Sequence, residues 1–130
     1  MTVRFHPVAR ILSFICVVAV AIQLCLMPEP AFAERIVEAT WDKAVHATVY
    51  GGIAFLLWVA FNGRGAILIW ALVVLVGAID ETLQIYTPGR DADLHDFFAD
   101  ALGAAAVLFV LQFLASVRFF PAPASSYSGD

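Results

Sequence analysis

The polar positions of the chain are confined to short stretches between long apolar segments. The apolar segments extend over residues 11–27, about 44–61, about 66–86 and about 96–117. Each is close to the roughly 20 residues that a helix needs to cross the hydrocarbon core of a bilayer. The pattern therefore predicts an all-α fold, an integral membrane bundle of four transmembrane helices.

Helix-breaking residues separate these segments. Pro28 and Pro30 end the first segment, and residues 62–65 form a tight turn with two glycines between the second and the third. Pro88-Gly89 lies in the turn before the fourth segment. The last two connections are thus short, and successive transmembrane helices are expected to run antiparallel.

The first apolar segment has two interpretations. A basic head at residues 1–10, an apolar run and Ala31-Phe32-Ala33 together resemble a secretory signal with a cleavage site. The run is long for a signal core, which favours a retained helix; cleavage would leave three transmembrane helices. The chain is accordingly divided into a helix or signal-like segment at 1–33, a helical membrane domain at 34–120 and a disordered tail at 121–130.

Composition supports the membrane interpretation. Hydrophobic residues make up 62% of the 130 residues, charged residues make up 14%, and the mean hydropathy is +0.89. Soluble domains are nearer half apolar, so no separate soluble domain is expected. The net charge of -4 and the absence of a basic run argue against a nucleic-acid partner.

The basic residues suggest an orientation. Lys and Arg are enriched in cytoplasmic loops of membrane proteins. A cytoplasmic N-terminus places four of them inside (Arg4, Arg10, Arg64, Arg118) and three outside (Arg35, Lys43, Arg90). It also places every acid except Asp130 at the outer face, so we predict this orientation in a multi-pass protein.

The polar residues between the third and fourth segments are the main candidates for function. Ionisable groups at such positions cost free energy, so their presence indicates a functional or structural role. The predicted topology brings three acid-containing helix ends to one face of the membrane. The candidate residues at this face are Asp42, Lys43, His46, Tyr50, Asp80, Glu81, Gln84, Arg90, Asp96 and Asp100.

Asp80 and Glu81 are the strongest candidates for acid–base chemistry. Adjacent helical residues point about 100° apart, so at least one of the two carboxyl groups must contact other residues of the bundle. One is expected to pair with Arg90 or Lys43, while the other, desolvated among acids, would act with His46 as a proton carrier or catalyst.

The remaining candidates are assigned to ligand binding. Arg90 and Lys43 would hold an anionic group, and Gln84 and Asp96 would orient the catalytic groups. Asp42, His46 and Tyr50 share one helix face because they recur every four residues. The other candidates that would line the pocket are Asp42, Tyr50 and Asp100.

Structural roles are alternatives for several of these residues. Asp93 resembles a helix N-cap with Asp96 three positions later. Arg90 would pin the turn by pairing with Glu81 or Asp91, and His46 would be satisfied by Asp42 or a backbone carbonyl. The oxygens and His46 could also hold a divalent cation, but no HExxH or CxxC spacing is present. No metal and no cofactor are therefore predicted.

At these residues the sequence resembles the VanZ family of small bacterial membrane proteins, whose namesake is a teicoplanin-resistance protein. The resemblance covers residues 42 to 103 and rests on Asp42-Lys43-x-x-His46-x-x-x-Tyr50, Asp80-Glu81-x-x-Gln84, Pro88-Gly89-Arg90, Asp96 and Gly103. It implies a role in the bacterial cell envelope, at the inner membrane, and a link to glycopeptide susceptibility. It implies no particular reaction.

Two positions depart from the family pattern. Asp100 stands where the family more often has Asn, which adds negative charge, and Val107 stands where a glycine often follows Gly103. We expect Val107 to loosen close helix packing.

The sequence leaves three functional hypotheses. In the first, an outward-facing polar pocket binds or processes a membrane lipid or a lipid-linked or anionic envelope precursor. In the second, the polar residues only lock three helices together, and the protein is a non-catalytic scaffold or accessory subunit. A proton- or ion-coupled transporter half ranks last, because the inner halves of the spans carry no acids. Whether the protein is an enzyme is left open, and a homo-oligomer or a membrane partner is compatible with the first two hypotheses.

Overall fold

A computed structural model of the chain describes residues 4–26, 39–86 and 92–117. These residues form four α-helices: α1 (Pro7–Leu26), α2 (Ala39–Ala60), α3 (Ala66–Gln84) and α4 (Leu94–Val117). Each helix is long and apolar enough to cross a membrane. The predicted all-α bundle of four transmembrane helices is confirmed, and the chain is a multi-pass membrane protein.

Two helices begin earlier than their apolar segments do. Helix α2 starts at Ala39 instead of about residue 44, so its polar first turns, including Lys43, are helical. Helix α4 starts at Leu94 instead of about residue 96, since Asp93 caps it. The difference matters because both extensions lie at the end of the bundle that carries the candidate residues.

The opposite end of the bundle is closed by the turn between α2 and α3. The Asn62 N–H donates to the Val59 carbonyl (3.0 Å), and the Gly63 N–H donates to the Trp58 carbonyl (2.8 Å). This is the Schellman pairing, and it requires left-handed backbone at Asn62 (φ 60°). The Asn62 side chain also accepts the Phe5 N–H at 2.6 Å, which ties the start of the chain to this turn.

Helices α2 and α4 approach each other closely enough for their backbones to touch. A Cβ added at Gly103 would lie 2.7 Å from the Cα atom of Ala47, so the two backbones touch there. In lipid, small residues drive such association because apolar surface gains little by leaving hydrocarbon. Val107 packs against Gly51, where an added Cβ would lie 3.0 Å from Val107 Cγ2. Gly51 thus accommodates the Val107 side chain in a close contact between the two helices.

The buried apolar core lies on α2, α3 and α4. It includes Ile53, Ala54, Ile69, Val73 and Leu108. Helix α1 packs on the outside of this core through partly buried apolar residues. Helices α2, α3 and α4 therefore form the unit that positions the polar residues.

Candidate functional site

Buried polar side chains gather at the end of the bundle where α2 and α4 begin and α3 ends. Asp80 (2% exposed), Glu81 (9%), Gln84, Asp96 and Asp100 (1%) are all buried. Lys43 and His46 on α2 contact them. We call the following residues the polar cluster: Lys43, His46, Tyr50, Asp80, Glu81, Gln84, Asp96 and Asp100.

A histidine–carboxylate contact joins α2 to α4. His46 Nδ1 lies 3.0 Å from Asp100 Oδ1. The imidazole ring is stacked on Tyr50, with ring centroids 6.2 Å apart and an angle of 5° between the planes. The ring therefore stands in a fixed orientation, and the predicted shared face of His46 and Tyr50 is present.

A second set of contacts joins α2 to α3. The Tyr50 hydroxyl donates to Asp80 Oδ2 at 3.2 Å. Gln84 Nε2 lies 3.4 Å from Asp80 Oδ2 and 3.4 Å from Glu81 Oε1. Gln84 thus contacts both adjacent carboxylates from one turn further along the same helix, as its predicted orienting role requires.

Lys43 reaches the first turn of α4. Its Nζ lies 3.1 Å from Asp93 Oδ2 and 3.1 Å from Asp96 Oδ1. The sequence suggested a pairing of Lys43 with Asp80 or Glu81, but its contacts in the described part of the chain are with these two other acids. The earlier start of α2 makes this reach possible.

Asp93 has more contacts than a helix cap needs. Its Oδ1 accepts the His95 N–H at 2.8 Å, which is the capping bond, and lies 2.7 Å from His95 Nδ1. Its own N–H donates to Glu81 Oε2 at 3.0 Å. The His95 backbone N–H, the His95 ring and the Lys43 ammonium hold the pKa of Asp93 well below its usual range. Asp93 therefore links Lys43 to Glu81, a role that the sequence indicated only through its position at the same helix end.

The side chains of two predicted site residues lie outside the part of the chain that the structure describes. Asp42 belongs to the first turns of α2, and its side chain is outside the described part. Arg90 and its expected pairing with Glu81 also lie outside the described residues. The other eight predicted site residues all meet in the polar cluster.

Gly77 lets α4 approach α3 beside the cluster. A Cβ at Gly77 would lie 3.0 Å from Asp100 Oδ2 and 3.5 Å from a Tyr50 ring carbon. A larger residue would displace the Asp100 carboxylate. Gly77 is therefore a positioning residue that sequence analysis did not include among the site residues, although its spacing places it one turn before Asp80 and Glu81.

An apolar groove adjoins the cluster between α3 and the start of α4. It has a volume of about 300 Å³ and is lined by Ala78, Glu81, Thr82, Ile85, Ala92, Leu94 and Phe97. Most of these side chains are apolar, and Glu81 is the ionisable one among them. Glu81 thus belongs both to the polar cluster and to the wall of the groove.

One set of side chains in the cluster has the composition of a cation site. Ligand atoms of His46, Glu81 and Asp100 lie within 4.8 Å of one another. Carboxylate oxygen and imidazole nitrogen are common ligands of divalent metals. The arrangement offers acid–base groups, hydrogen-bond donors and potential metal ligands in a small buried volume.

Fold and cluster together define a small multi-pass helical membrane protein with a buried polar cluster shared by three helices. A sequence model of the VanZ/LLP1 family matches residues 3–116, which include α1, α2, α3 and all of α4 except its last residue. The chain belongs to this family, as the motifs in α2, α3 and α4 indicated. No curated protein sequence and no solved structure showed significant similarity to the chain.

Proposed function

We propose that the protein binds or processes a membrane lipid, or a lipid-linked or anionic precursor of the bacterial cell envelope, at the polar cluster. The observation that carries the proposal is the position of Glu81. Its carboxylate lies in the cluster and also lines the apolar groove between α3 and α4. A lipid could place an acyl chain in this groove and its polar group beside Glu81.

The chemistry of the cluster fits a polar group that arrives from the membrane. Asp80, Glu81 and His46 are the groups available for proton transfer, and Lys43 is a cation at the same level. The other proposed binding residues are Arg90, Gln84, Asp96, Asp100, Asp42 and Tyr50. A buried carboxylate in hydrocarbon is expensive, so its retention at several positions favours a use for it.

The proposed orientation has the cluster facing the outside of the bacterial inner membrane. Arg10 contacts the Ala60 carbonyl at the opposite end of the bundle (2.9 Å), and Arg64 follows in the turn there. Basic residues favour the cytoplasmic side, which would place the N-terminus and this turn inside. A reporter that is active only in the cytoplasm should then be active when it is fused to the C-terminus. Activity of a C-terminal reporter that works only in the periplasm would contradict this orientation.

Two alanines allow a direct test of the groove. Ala78 lines the groove beside Glu81, and Ala105 lines another groove between α3 and α4 that does not include Glu81. Both are partly buried. Native mass spectrometry of gently extracted protein would measure retained lipid and the number of chains per particle.

We expect Ala78→Phe to reduce the retained lipid several-fold and Ala105→Phe to leave it unchanged. Glu81→Gln should alter which lipid is retained, because the polar group would lose its carboxylate contact. Equal lipid retention by the wild type and all three variants would contradict the proposal. Teicoplanin susceptibility of cells that express the same variants would test the implied link to glycopeptides.

A structural role for the cluster is the second candidate. The pairs His46–Asp100 and Tyr50–Asp80 join different helices, so a scaffold or accessory subunit would also use them. In that case Asp80→Asn and Glu81→Gln should lower stability in detergent without changing lipid retention. Loss of lipid at unchanged stability would favour the first candidate.

A further inference from the structure

Three helices each contribute one potential metal ligand to the cluster, and the three ligand atoms lie within 4.8 Å of one another. The residues are His46 on α2, Glu81 on α3 and Asp100 on α4. His46 Nδ1 and Asp100 Oδ1 are 3.0 Å apart. Neighbouring ligands around an ion with bonds of about 2.1 Å are separated by a similar distance, roughly 3 Å. A cation could therefore replace the proton between His46 and Asp100, and the Glu81 carboxylate, which lies within 4.8 Å, would move closer to complete the site.

The Asp100 carboxylate supplies an independent observation. Asp100 is 1% exposed, and its Oδ1 contacts His46 Nδ1. Its Oδ2 atom is buried without a hydrogen-bond partner among the described residues. This oxygen lies beside Gly77, and a buried carboxylate oxygen without a donor costs free energy. A cation bound by the Asp100 carboxylate would neutralise its charge and reduce that cost.

Charge also points to a cation. In the described part of the chain, Lys43 is the one lysine or arginine that contacts the acids at this end. It contacts Asp93 and Asp96 and not the triad. The carboxylates of Asp80, Glu81, Asp93, Asp96 and Asp100 outnumber the cations at this end even when Arg90, which the sequence places at the same face, is counted with Lys43. Acids inside a membrane protein are retained when a proton or a cation compensates them.

Contacts outside the triad hold its ligands in place. Glu81 Oε2 accepts the Asp93 N–H (3.0 Å), and Gln84 Nε2 lies 3.4 Å from Glu81 Oε1. The His46 ring is stacked on Tyr50. Such outer contacts orient ligands and tune the affinity of metal sites.

We propose that His46, Glu81 and Asp100 bind one divalent transition-metal ion, of which Zn²⁺ is the natural probe. A mixed set of imidazole and carboxylate ligands suits Zn²⁺ better than Mg²⁺ or Ca²⁺, which prefer oxygen alone. Three protein ligands leave a coordination position open, which is the pattern of reactive sites. The inference departs from the sequence-based expectation of no metal, and it does not depend on the lipid proposal.

The first test uses the full-length protein in detergent with any affinity tag removed. The chelator-treated protein is titrated with ZnCl₂ by calorimetry, and bound metal is counted after desalting. We expect one Zn²⁺ per chain, and an excess of Mg²⁺ should not displace it. A wild-type protein that retains no stoichiometric Zn²⁺ would overturn the proposal.

Variants assign the ligands. Asp100→Asn and Glu81→Gln should each weaken Zn²⁺ binding at least about tenfold, since even outer contacts are worth 10- to 100-fold. His95→Gln is the matched control, because His95 is a histidine at the same end of the bundle but 78% exposed at its side chain. Equal binding by all three variants would show adsorption at the surface and contradict the assignment.

A second measurement covers variants that fail to fold. Wild-type protein loaded with Co²⁺ should show visible absorption bands of a low-coordinate nitrogen and oxygen site, and Zn²⁺ should bleach them. Co²⁺ that keeps the spectrum of the hydrated ion would overturn the proposal. If the wild type binds Zn²⁺ but Ala78→Phe and Glu81→Gln retain lipid as the wild type does, the metal proposal is supported and the lipid proposal is contradicted.

Discussion

The two ends of the helical bundle are held together by different interactions. At the end of the bundle that contains the α2–α3 turn, the Phe5 ring packs edge-on against Trp58 with centroids 5.4 Å apart, and backbone hydrogen bonds close the turn. At the other end, buried carboxylates contact a lysine, a histidine and a tyrosine. One end is apolar packing with a helix cap, and the other is a network of ionisable groups.

The two ends differ in the free-energy cost of the interactions that join the helices. An apolar end can be built from packing and caps without desolvating any charge. Buried ionic groups can often be replaced by apolar residues with no loss of stability in soluble proteins. The polar cluster is thus a costly way to join three helices, which favours a role beyond the fold.

The largest expected effect lies on the α2–α4 seam that connects the two ends. Gly103→Ala would place a methyl group against the Ala47 backbone, which cannot move aside as a flexible side chain would. We expect a loss of about 3 kcal/mol or more in the free energy of unfolding, at the upper end of overpacking costs. Unfolding in mixed detergent micelles would measure it.

Gly52→Ala is the matched control for this change. Gly52 lies in α2, and an added Cβ would meet nothing within 4 Å. Its stability should be unchanged or slightly raised, because alanine favours helix. Similar losses for the two variants would mean that backbone contact at Gly103 does not hold the seam.

Much of this architecture could be predicted from the sequence because it follows from length and order. Four apolar segments and their turns are enough to predict four helices, and antiparallel order brings Asp80, His46 and Asp100 to one end. The exact partners could not be predicted in the same way. They depend on how each helix is rotated about its axis, and a helix that is apolar on every side carries little information about that rotation.

Lys43 and Val107 show this limit. Pairing of Lys43 with Asp96 depends on α2 starting five residues before its apolar segment, a boundary that apolarity does not mark. The fit of Val107 depends on Gly51 standing opposite it on another helix. Both are properties of a pair of helices, so neither can be deduced from one helix alone.

The next effect concerns the apolar end. Asn62→Ala would put alanine in left-handed backbone (φ 60°) and remove the acceptor of the Phe5 N–H. We expect a loss of roughly 1–2 kcal/mol, the cost of that conformation for a residue other than glycine. Asn62→Gly should lose less, because glycine adopts this backbone freely. Unfolding in micelles would compare them, and equal losses for the two variants would show that the lost contact with Phe5, and not the backbone conformation, sets the cost.

A smaller effect is expected at the polar end from removing one hydroxyl. Tyr50→Phe deletes the donor to Asp80 Oδ2 and leaves the ring in place. We expect a loss of about 1 kcal/mol in the free energy of unfolding, because hydrogen bonds between membrane helices contribute modestly. Tyr86→Phe is the control, since Tyr86 is exposed, and its change should stay within about 0.5 kcal/mol. Equal values for the two tyrosines would remove Tyr50 from the network.

The smallest expected effect is a pH dependence at Asp93. Its pKa is lower in the folded protein than in the unfolded chain, so the stability it contributes is present above about pH 4, the ordinary range for aspartate. That contribution is lost as the pH falls through the depressed folded value. Asp93→Asn keeps a good N-cap but removes the charge that faces Lys43. The wild type should therefore be slightly more stable than Asp93→Asn at pH 7, and the difference should shrink as the pH is lowered below 4. Thermal unfolding in detergent across this pH range would measure the difference, and a gap that stays constant would mean that Asp93 serves only as a cap.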